Sequence, residues 1–358
     1  MRSLRICLIA SSRFPVREPF AGGLEAHIHA LARTLRARGH DVSVFAAPGS
    51  DPALGIHPLD VDEFDVSAVA RADVSAPPAA WMREHHAYLS LMLSLARSGG
   101  ERFDVVHNNS LHHLPVAMSS SLSIPMITTL HTPPTPWLES ALRFASTTST
   151  YVAVSEFTAR QWRDVVHADV IRNGIDIDRW PAGPGGRRAI WFGRIVPEKA
   201  PHLAIDAARR AGFAIDIAGP AFDATYFSDE IRPRLGDDVR LLGHLGSADL
   251  AEVVGRAAVT VLTPSWEEPY GLVAAESMAC GTPVATFARG GLVEVVGAGG
   301  GRLAAPDDVS ALAVAIADAA ALPRAEVRAH ALRHHSLETM VDRYEDVYAA
   351  LAPESRAA

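Results

Sequence analysis

Two kinds of segment alternate along this chain: short apolar runs that suit buried strands, and longer amphipathic stretches that suit helices. The first cycle runs from residues 5–10, RICLIA, through a helix pattern at 24–39 to a second strand pattern at 41–46, DVSVFA. The cycle starts again at residues 189–195, AIWFGRI, and continues to PVATFA at 283–288. Such alternation predicts βαβ units and parallel sheets. We therefore expect an α/β protein with two doubly wound, Rossmann-like domains.

The length and one loop-like segment predict where the two domains divide. A chain of 358 residues exceeds what one hydrophobic core usually serves. Residues 172–188, RNGIDIDRWPAGPGGRR, are dense in Gly, Pro, Asn and Asp, as is typical of a domain connection. The predicted domains are residues 1–170 and residues 171–336. A last helix at about 337–358 has an apolar stripe and is expected to pack back on the first domain. Residues 54–78 are expected to be an irregular surface segment.

The charge balance argues against one class of partner. The chain carries 33 Lys and Arg against 41 Asp and Glu, a formal net charge of −8. Binding to a nucleic-acid backbone needs a surplus of clustered cations. No nucleic-acid partner is therefore expected.

Cysteine content and hydropathy predict a reducing, aqueous compartment. The 2 cysteines, Cys7 and Cys280, lie in apolar segments and are expected to be buried, so no disulfide framework is predicted. The first apolar run is too short for a signal sequence, and no stretch approaches the roughly 20 apolar residues of a membrane span. We expect a cytoplasmic protein with at most peripheral membrane contact. Arg33, Arg36 and Arg38 give the first helix a basic end that could touch an anionic membrane, but solvated charges near a helix C-terminus are the favoured interpretation.

Two groups of residues that follow predicted strands suit a phosphate. Ligands of doubly wound sheets bind beyond the carboxyl ends of the strands. Gly22 and Gly23 directly precede the first helix, where glycines let backbone N–H groups approach a phosphate. A flexible loop explains such a pair equally well, and the pair is not a G-x-G-x-x-G fingerprint. Arg194 and Lys199 share a loop in the second half, and their cations suit a diphosphate.

The stretch TPSWEEPYGLVAAESMACGTPV places glutamates on both sides of a glycine turn. If a helix starts near Tyr270, its rise of about 1.5 Å per residue sets Glu268 and Glu276 roughly 10 Å apart. A carboxylate only accepts hydrogen bonds, so two of them suit two sets of hydroxyls. The N–H groups of Tyr270, Gly271 and Leu272 lie between them and suit a phosphate. Solvated surface charges are the alternative interpretation.

Together these segments resemble the retaining glycosyltransferases of family 4, which have the GT-B architecture. The resemblance rests on Gly22–Gly23, NGID at 173–176, GRIVPEK at 193–199 and EPYGLVAAESMACGTPV at 268–284, in that order along nearly the whole chain. It implies two Rossmann-like domains that face each other across a cleft. The first would form the acceptor side, and the second would bind a nucleotide-sugar donor.

The resemblance also implies roles for individual side chains. Arg194 and Lys199 would hold the donor diphosphate. Glu268 would contact hydroxyls of the transferred sugar, with His131 beside that sugar, and Glu276 would hold the ribose. These assignments make Arg194, Lys199, Glu268 and His131 the expected catalytic residues.

Backbone groups complete the donor site that the resemblance implies. The loop at Gly22 and Gly23 would close over the phosphates from the first domain. The backbone at Gly271, Leu272 and Val273 would complete the phosphate site on the second. The expected donor-binding residues are therefore Gly22, Gly23, Arg194, Lys199, Tyr270, Gly271, Leu272, Val273 and Glu276.

The acceptor side carries no motif that identifies its ligand. The segment HNNSLHHLP, from His107, is a candidate lining for that side of the cleft, although the paired His112 and His113 are more often ordinary polar or core residues. The chain has 16 histidines but no H-E-x-x-H or Cys/His ligand spacing, so no metal site is predicted.

The implied reaction is transfer of a hexose from a nucleotide diphosphate sugar, UDP-glucose being the leading candidate, to a hydroxyl of a small-molecule or glycan acceptor. The expected outcome is retention of configuration, without a cofactor or a metal. A sugar-nucleotide 2-epimerase of the same architecture and a catalytically silent nucleotide-sugar binding protein remain alternatives. A Rossmann oxidoreductase is disfavoured because the dinucleotide fingerprint is missing.

Overall fold

The computed structural model describes residues 2–61 and 66–352. Within these residues the strands form two sheets, both entirely parallel. The strands are β1 Arg5–Ile9, β2 Asp41–Ala46, β3 Ile56–Pro58, β4 Val105–Asn108, β5 Met126–Leu130, β6 Thr150–Ala153, β7 Asp169–Val170, β8 Ala189–Phe192, β9 Ile215–Ala218, β10 Val239–Gly243, β11 Val259–Leu262, β12 Val284–Phe287 and β13 Gly301–Ala304. The first sheet has the order β3-β2-β1-β4-β5-β6-β7, and the second has the order β10-β9-β8-β11-β12-β13.

Helices connect the strands, as parallel pairing requires. The helices are α1 Gly23–Ala37, α2 Ala68–Arg71, α3 Ala79–Arg102, α4 His113–Ala117, α5 Pro136–Ala141, α6 Glu156–Trp162, α7 Pro201–Arg210, α8 Ala224–Tyr226, α9 Ser247–Gly255, α10 Leu272–Ala279, α11 Leu292–Gly300, α12 Val309–Ala320, α13 Arg324–His334 and α14 Leu337–Leu351. Within the described ranges, no helix is both long enough and apolar enough to cross a membrane.

Each sheet is covered on both faces because successive residues of a strand point to opposite sides. In β1, Ile6 and Leu8 face a core that contains the buried side of α1, whereas Cys7 and Ile9 face a core built with α3. The second sheet is packed in the same way, with α10 on one face and α7 and α12 on the other. The prediction of two doubly wound parallel-sheet domains is confirmed.

Helix α14 packs on the first sheet although it follows the second in the chain. Its buried residues Leu337, Met340, Val341, Tyr344 and Tyr348 belong to the same core as β1. Two tyrosines of this helix also reach a buried polar network. His107 lies 2.6 Å from the Tyr348 hydroxyl and 2.8 Å from Thr129, whose Oγ1 lies 3.1 Å from the Tyr344 hydroxyl. The predicted extension of the helix beyond residue 352 lies outside the described residues.

Some elements differ from the sequence expectation. Helix α3, of 24 residues, is absent from the predicted elements, although its buried positions Tyr88, Leu91, Met92 and Leu95 have helical spacing. Strand β3 lies within the segment that was expected to be irregular and pairs with β2 at the sheet edge. The predicted strands of both halves are present.

The packing of α14 predicts a matched pair of stability effects. Leu337 is 4% exposed in the first-domain core, whereas Leu332, on the preceding helix, is 47% exposed. Leu337→Ala should lower the free energy of unfolding by about 2–5 kcal/mol, because it leaves a cavity. Leu332→Ala should change it by no more than about 0.5 kcal/mol. Chemical denaturation of both variants checks this, and equal effects would contradict the packing.

Candidate active site between the two sheets

A cavity of about 390 Å³ lies between the two domains and takes its walls from both. This volume is within the range of small-molecule sites. Every residue that the sequence analysis assigned to the site lines this cavity: Gly22, Gly23, His131, Arg194, Lys199, Glu268, Tyr270, Gly271, Leu272, Val273 and Glu276. The fold therefore brings together residues that are separated by more than two hundred positions in the chain.

The glycine pair lets two helix N-termini from different domains approach each other. Gly22 is the N-cap of α1 in an extended conformation, and Gly23 begins the helix. A Cβ atom on Gly23 would lie 3.1 Å from the Leu272 side chain at the start of α10. Such a contact is tighter than ordinary van der Waals packing, so a larger residue at position 23 would require the Leu272 side chain to shift.

Helix α10 begins at Leu272, two residues later than predicted. Gly271 is its N-cap and has a φ of +99°, a left-handed conformation that favours glycine. The hydrogen bond from the Ala274 N–H to the Gly271 carbonyl is 3.0 Å long. Tyr270 and Gly271 thus precede the helix, and Leu272 and Val273 occupy its first two positions, whose N–H groups have no intrahelical acceptor.

The turn before α10 is held from several sides. The Tyr270 hydroxyl donates to the Asn173 carbonyl at 2.5 Å and lies 2.8 Å from Nδ1 of His335. The carbonyl of Pro269 accepts hydrogen bonds from the hydroxyls of Ser155, at 2.6 Å, and Thr158, at 3.2 Å. Because these two hydroxyls come from the first domain, the turn that carries Glu268 is anchored across the domain boundary.

Both predicted cations have carboxylate neighbours. Lys199 forms an ion pair with Glu268, and its ammonium group lies 5.3 Å from the centre of the Trp266 ring. Arg194 lies 3.9 Å from Glu198. The pair between Lys199 and Glu268 joins the loop after β8 to the loop after β11. A ligand anion that binds Lys199 must therefore compete with Glu268.

Glu276 lies on the second turn of α10, where burial raises the pKa of its carboxyl from the ordinary 4.5 to about 7. Glu25, on the first turn of α1, also lines the cavity and is buried. Burial raises the pKa of Glu25 as well, while the positive charge of Arg194 acts in the opposite direction. The site therefore contains two carboxyl groups that gain from new hydrogen-bond donors.

The histidines at the first-domain wall are neutral near pH 7. His131 lies 3.0 Å from the Asn109 side-chain oxygen and meets the ring of His27 edge to face at 5.2 Å. Burial holds the pKa of His131 well below its usual range, with further lowering from His27 and His107. Burial also lowers the pKa of His27 to about 4. An uncharged imidazole at position 131 can exchange hydrogen bonds with a ligand hydroxyl without adding positive charge.

Glu25 and His27 are among the cavity residues that sequence reasoning missed. Both lie near the start of the helix pattern at 24–39, so their position in the chain was a usable signal. Neither nitrogen of His27 has a hydrogen-bond partner among the described residues. Of the segment HNNSLHHLP, Leu111 is the residue that lines the cavity. His107, at the start of this segment, is fully buried and lies 2.6 Å from the Tyr348 hydroxyl of α14.

Comparison with known proteins gives the family. Residues 21–179 match the model described as Glycosyltransferase Family 4, and residues 176–332 match that of the glycosyl transferases group 1. A glycogen synthase of Mycobacterium tuberculosis is 32% identical over 87% of this chain and 85% of its own length. The chain belongs to the group 1 glycosyltransferases. A D-inositol 3-phosphate glycosyltransferase of Mycolicibacterium paratuberculosis is 30% identical over 87% of this chain and 81% of its own length.

Solved structures show the same architecture. Anabaena HepE in complex with UDP and glucose has a TM-score of 0.76 at 18% identity and covers 97% of this chain and 100% of its own. Sucrose-phosphate synthase from Thermosynechococcus elongatus has a TM-score of 0.75 at 19% identity and covers 98% and 99%. The predicted GT-B fold is confirmed, and the family makes the protein a glycosyltransferase.

The raised pKa of Glu276 predicts a pH-dependent stability. Between pH 4.5 and about 7 the folded protein keeps a proton on this carboxyl that the unfolded chain has lost. Stability therefore falls as pH rises through this window. Glu276→Gln removes the titration, so the melting temperature of the variant should rise relative to wild type as pH increases.

Calorimetry of wild type, Glu276→Gln and the exposed control Glu326→Gln from about pH 5 to about pH 8 measures the effect. The control should follow wild type at every pH. A constant difference between wild type and Glu276→Gln over the whole range would contradict the raised pKa.

Proposed function

We propose that this glycosyltransferase moves a hexose from a nucleotide diphosphate sugar, with UDP-glucose as the first candidate, to an acceptor hydroxyl with retention of configuration. One observation carries the proposal: two cations, a helix N-terminus and two glutamates meet in the same cavity. A nucleotide diphosphate sugar offers a matching set of groups, namely a diphosphate between two hydroxyl-bearing rings. The Anabaena structures, one with UDP and glucose and one with UDP-glucose, support UDP as the nucleotide to test first.

The diphosphate is assigned to the centre of the second-domain side of the cavity. Arg194 offers a planar fork of donors and Lys199 a compact charge. The N–H groups of Gly271, Leu272 and Val273 add backbone donors at the positive end of the α10 dipole. The backbone at Gly22 and Gly23 covers the phosphates from the first domain. On binding, the diphosphate takes over Lys199 from Glu268.

The two glutamates are assigned to the two ends of the donor. Glu276 accepts hydrogen bonds from the ribose, which stabilises the ionised carboxylate that burial disfavours. Glu268, once released from Lys199, accepts hydrogen bonds from hydroxyls of the hexose. His131 lies beside the transferred sugar on the first-domain side. Tyr270 fixes the turn between the two glutamates through its buried hydroxyl.

In the transfer step the bond between the anomeric carbon and the diphosphate oxygen breaks, and the acceptor oxygen forms a new bond to that carbon on the same face. The acceptor proton passes to the departing phosphate oxygen, so the enzyme supplies no covalent nucleophile. Negative charge grows on the leaving diphosphate as the bond breaks. Arg194, Lys199 and the α10 N-terminus therefore stabilise the transition state more than the ground state. These same groups take the place of a divalent ion, and we propose metal-independent transfer.

Nucleotide release from a panel of nucleotide sugars, with and without candidate acceptors, tests the proposal. We expect UDP-glucose to be turned over, activity to persist in EDTA, and NMR of the first-formed product to show the anomeric configuration of the donor. An inverted product would exclude the retaining step, and loss of activity in EDTA with rescue by Mn²⁺ would exclude metal independence. A 2-epimerised sugar formed from donor alone would favour the epimerase, and binding without turnover would favour a silent protein.

The division of labour between the glutamates predicts two different kinetic defects. Glu276→Ala should weaken binding of both donor and free nucleotide at least about tenfold, because it removes binding that ground and transition states share. Glu268→Ala should lower turnover at least about tenfold while free nucleotide still binds, because its contact orients the reacting sugar. Titration calorimetry with UDP and steady-state kinetics separate the two effects.

Glu326→Ala serves as the matched control, since this exposed glutamate on α13 lies outside the cavity lining. It should behave as wild type in both measurements. Equal UDP affinity in Glu268→Ala and Glu276→Ala would contradict the assigned division of labour.

A further inference from the structure

A column of stacked rings stands on the first domain beside the cavity. Trp137 stacks on His113 with ring centres 4.7 Å apart, and His113 stacks on His112 at 4.4 Å. His112 in turn stacks on Tyr88 at 4.4 Å. The interplanar angles of these three contacts are 25°, 25° and 20°, so each ring lies nearly parallel to the next. The four rings come from α3, from the N-cap and first residue of α4, and from α5.

A second pair of rings leans against this column. Trp81 stacks on His85 with ring centres 5.2 Å apart and an interplanar angle of 17°. His85 lies 5.8 Å from His112 and 5.6 Å from His113. The outer members of both stacks reach solvent, since Trp137 is 60% exposed and Trp81 is 40% exposed. Trp137 has one face against His113 and is otherwise largely exposed to solvent.

The column is continuous with the wall of the cavity. Tyr88, at its inner end, donates a hydrogen bond from its hydroxyl to the Ala10 carbonyl at 2.9 Å and accepts one from the Ser12 N–H at 3.0 Å. The neighbours of Ser12 in the chain, Ser11 and Arg13, line the cavity. Leu111, which directly precedes His112, lines it too. The inner end of the column is therefore hydrogen-bonded to the loop that forms this part of the cavity wall.

The three histidines His85, His112 and His113 are close enough together to be considered as metal ligands. One potential ligand atom from each of His85, His112 and His113 lies within 4.8 Å of the others. However, Nδ1 of His112 accepts a hydrogen bond from the Leu114 N–H at 3.2 Å. A neutral imidazole that accepts at Nδ1 carries its proton on Nε2, which leaves no free lone pair for a metal. The hydrogen bond and the stacking favour an organic ligand over a metal ion.

The charges beside the column are balanced, so they select neither an anionic nor a cationic ligand. Arg13 acts on His112 with a positive charge, and Glu84 acts on His113 with a negative one. Glu84 also accepts a hydrogen bond from the Ser12 hydroxyl at 3.1 Å. The column thus combines exposed indole faces, imidazole edges that exchange hydrogen bonds with hydroxyls, and one charge of each sign. A sugar ring matches these groups because it has an apolar C–H face and a rim of hydroxyls.

We propose that the ring column is the acceptor subsite and that the acceptor it takes is an uncharged saccharide, one of whose rings stacks on Trp137. This inference rests on the proposed transferase function, because it names the class of acceptor that meets the donor in the same cleft. The saccharide lies on the first-domain side, with the hydroxyl to be glycosylated directed towards His131. Trp81 and His85 bound the subsite on its α3 side.

Acceptor kinetics of Trp137→Ala test the subsite. Wild type is supplied with UDP-glucose and with neutral mono-, di- and trisaccharides, and separately with D-inositol 3-phosphate as a charged acceptor. With the best saccharide, Trp137→Ala should raise the acceptor KM roughly tenfold, while the donor KM and the donor hydrolysis seen without acceptor stay unchanged. Phe144→Ala is the matched control, since Phe144 is a 67% exposed aromatic residue on the same domain.

Three outcomes would overturn the subsite. The first is transfer to D-inositol 3-phosphate alone, and the second is an unchanged saccharide KM in Trp137→Ala. The third is a Co²⁺ absorption band that disappears in His113→Ala, which would show that the histidines hold a metal. If no nucleotide sugar is turned over, the proposed function fails, yet saturation-transfer NMR still decides the subsite. Saccharide binding that is lost in Trp137→Ala and kept in Phe144→Ala would support it, and unchanged binding in Trp137→Ala would exclude it.

Discussion

The direction of the strands is the constraint on which the site depends. Both sheets are entirely parallel among the described residues, so each sheet ends all of its strands at one edge. The loops that leave those edges carry Gly22 after β1, His131 after β5, Arg194 after β8 and Glu268 after β11. Since the two edges face one cavity, residues from distant parts of the chain become neighbours without any long excursion.

The charged side chains of the cavity can exchange their present surroundings for contacts with a ligand. Lys199 is neutralised by Glu268, and burial disfavours the ionised forms of Glu25 and Glu276. A ligand with an anionic centre and hydroxyls at both ends offers new partners to these charged groups. It satisfies Lys199, frees Glu268 and supplies donors to the buried carboxyl of Glu276. Preorganised groups of this kind need little rearrangement during the reaction.

Sequence patterns predicted the strands and most of the longer helices, because these follow from the local spacing of apolar residues. They also predicted that the donor-side residues share one site. They placed the start of α10 too early because Gly271, in its left-handed conformation, terminates the turn instead of continuing a helix. They could not identify the buried state of Glu25 and His27, which depends on tertiary contacts such as that between His27 and His131. The stack of Trp137 on His113 was equally hidden, since it joins side chains whose contact only the tertiary fold creates.

The position of α14 has a consequence for how the chain is made. The strands of the first sheet are synthesised first, but Tyr344 and Tyr348, which close the hydrogen-bond network around His107 and Thr129, are among the last described residues to leave the ribosome. The second domain can therefore complete its core while the first still lacks one helix. The nascent first domain therefore has an open apolar face until α14 has been synthesised.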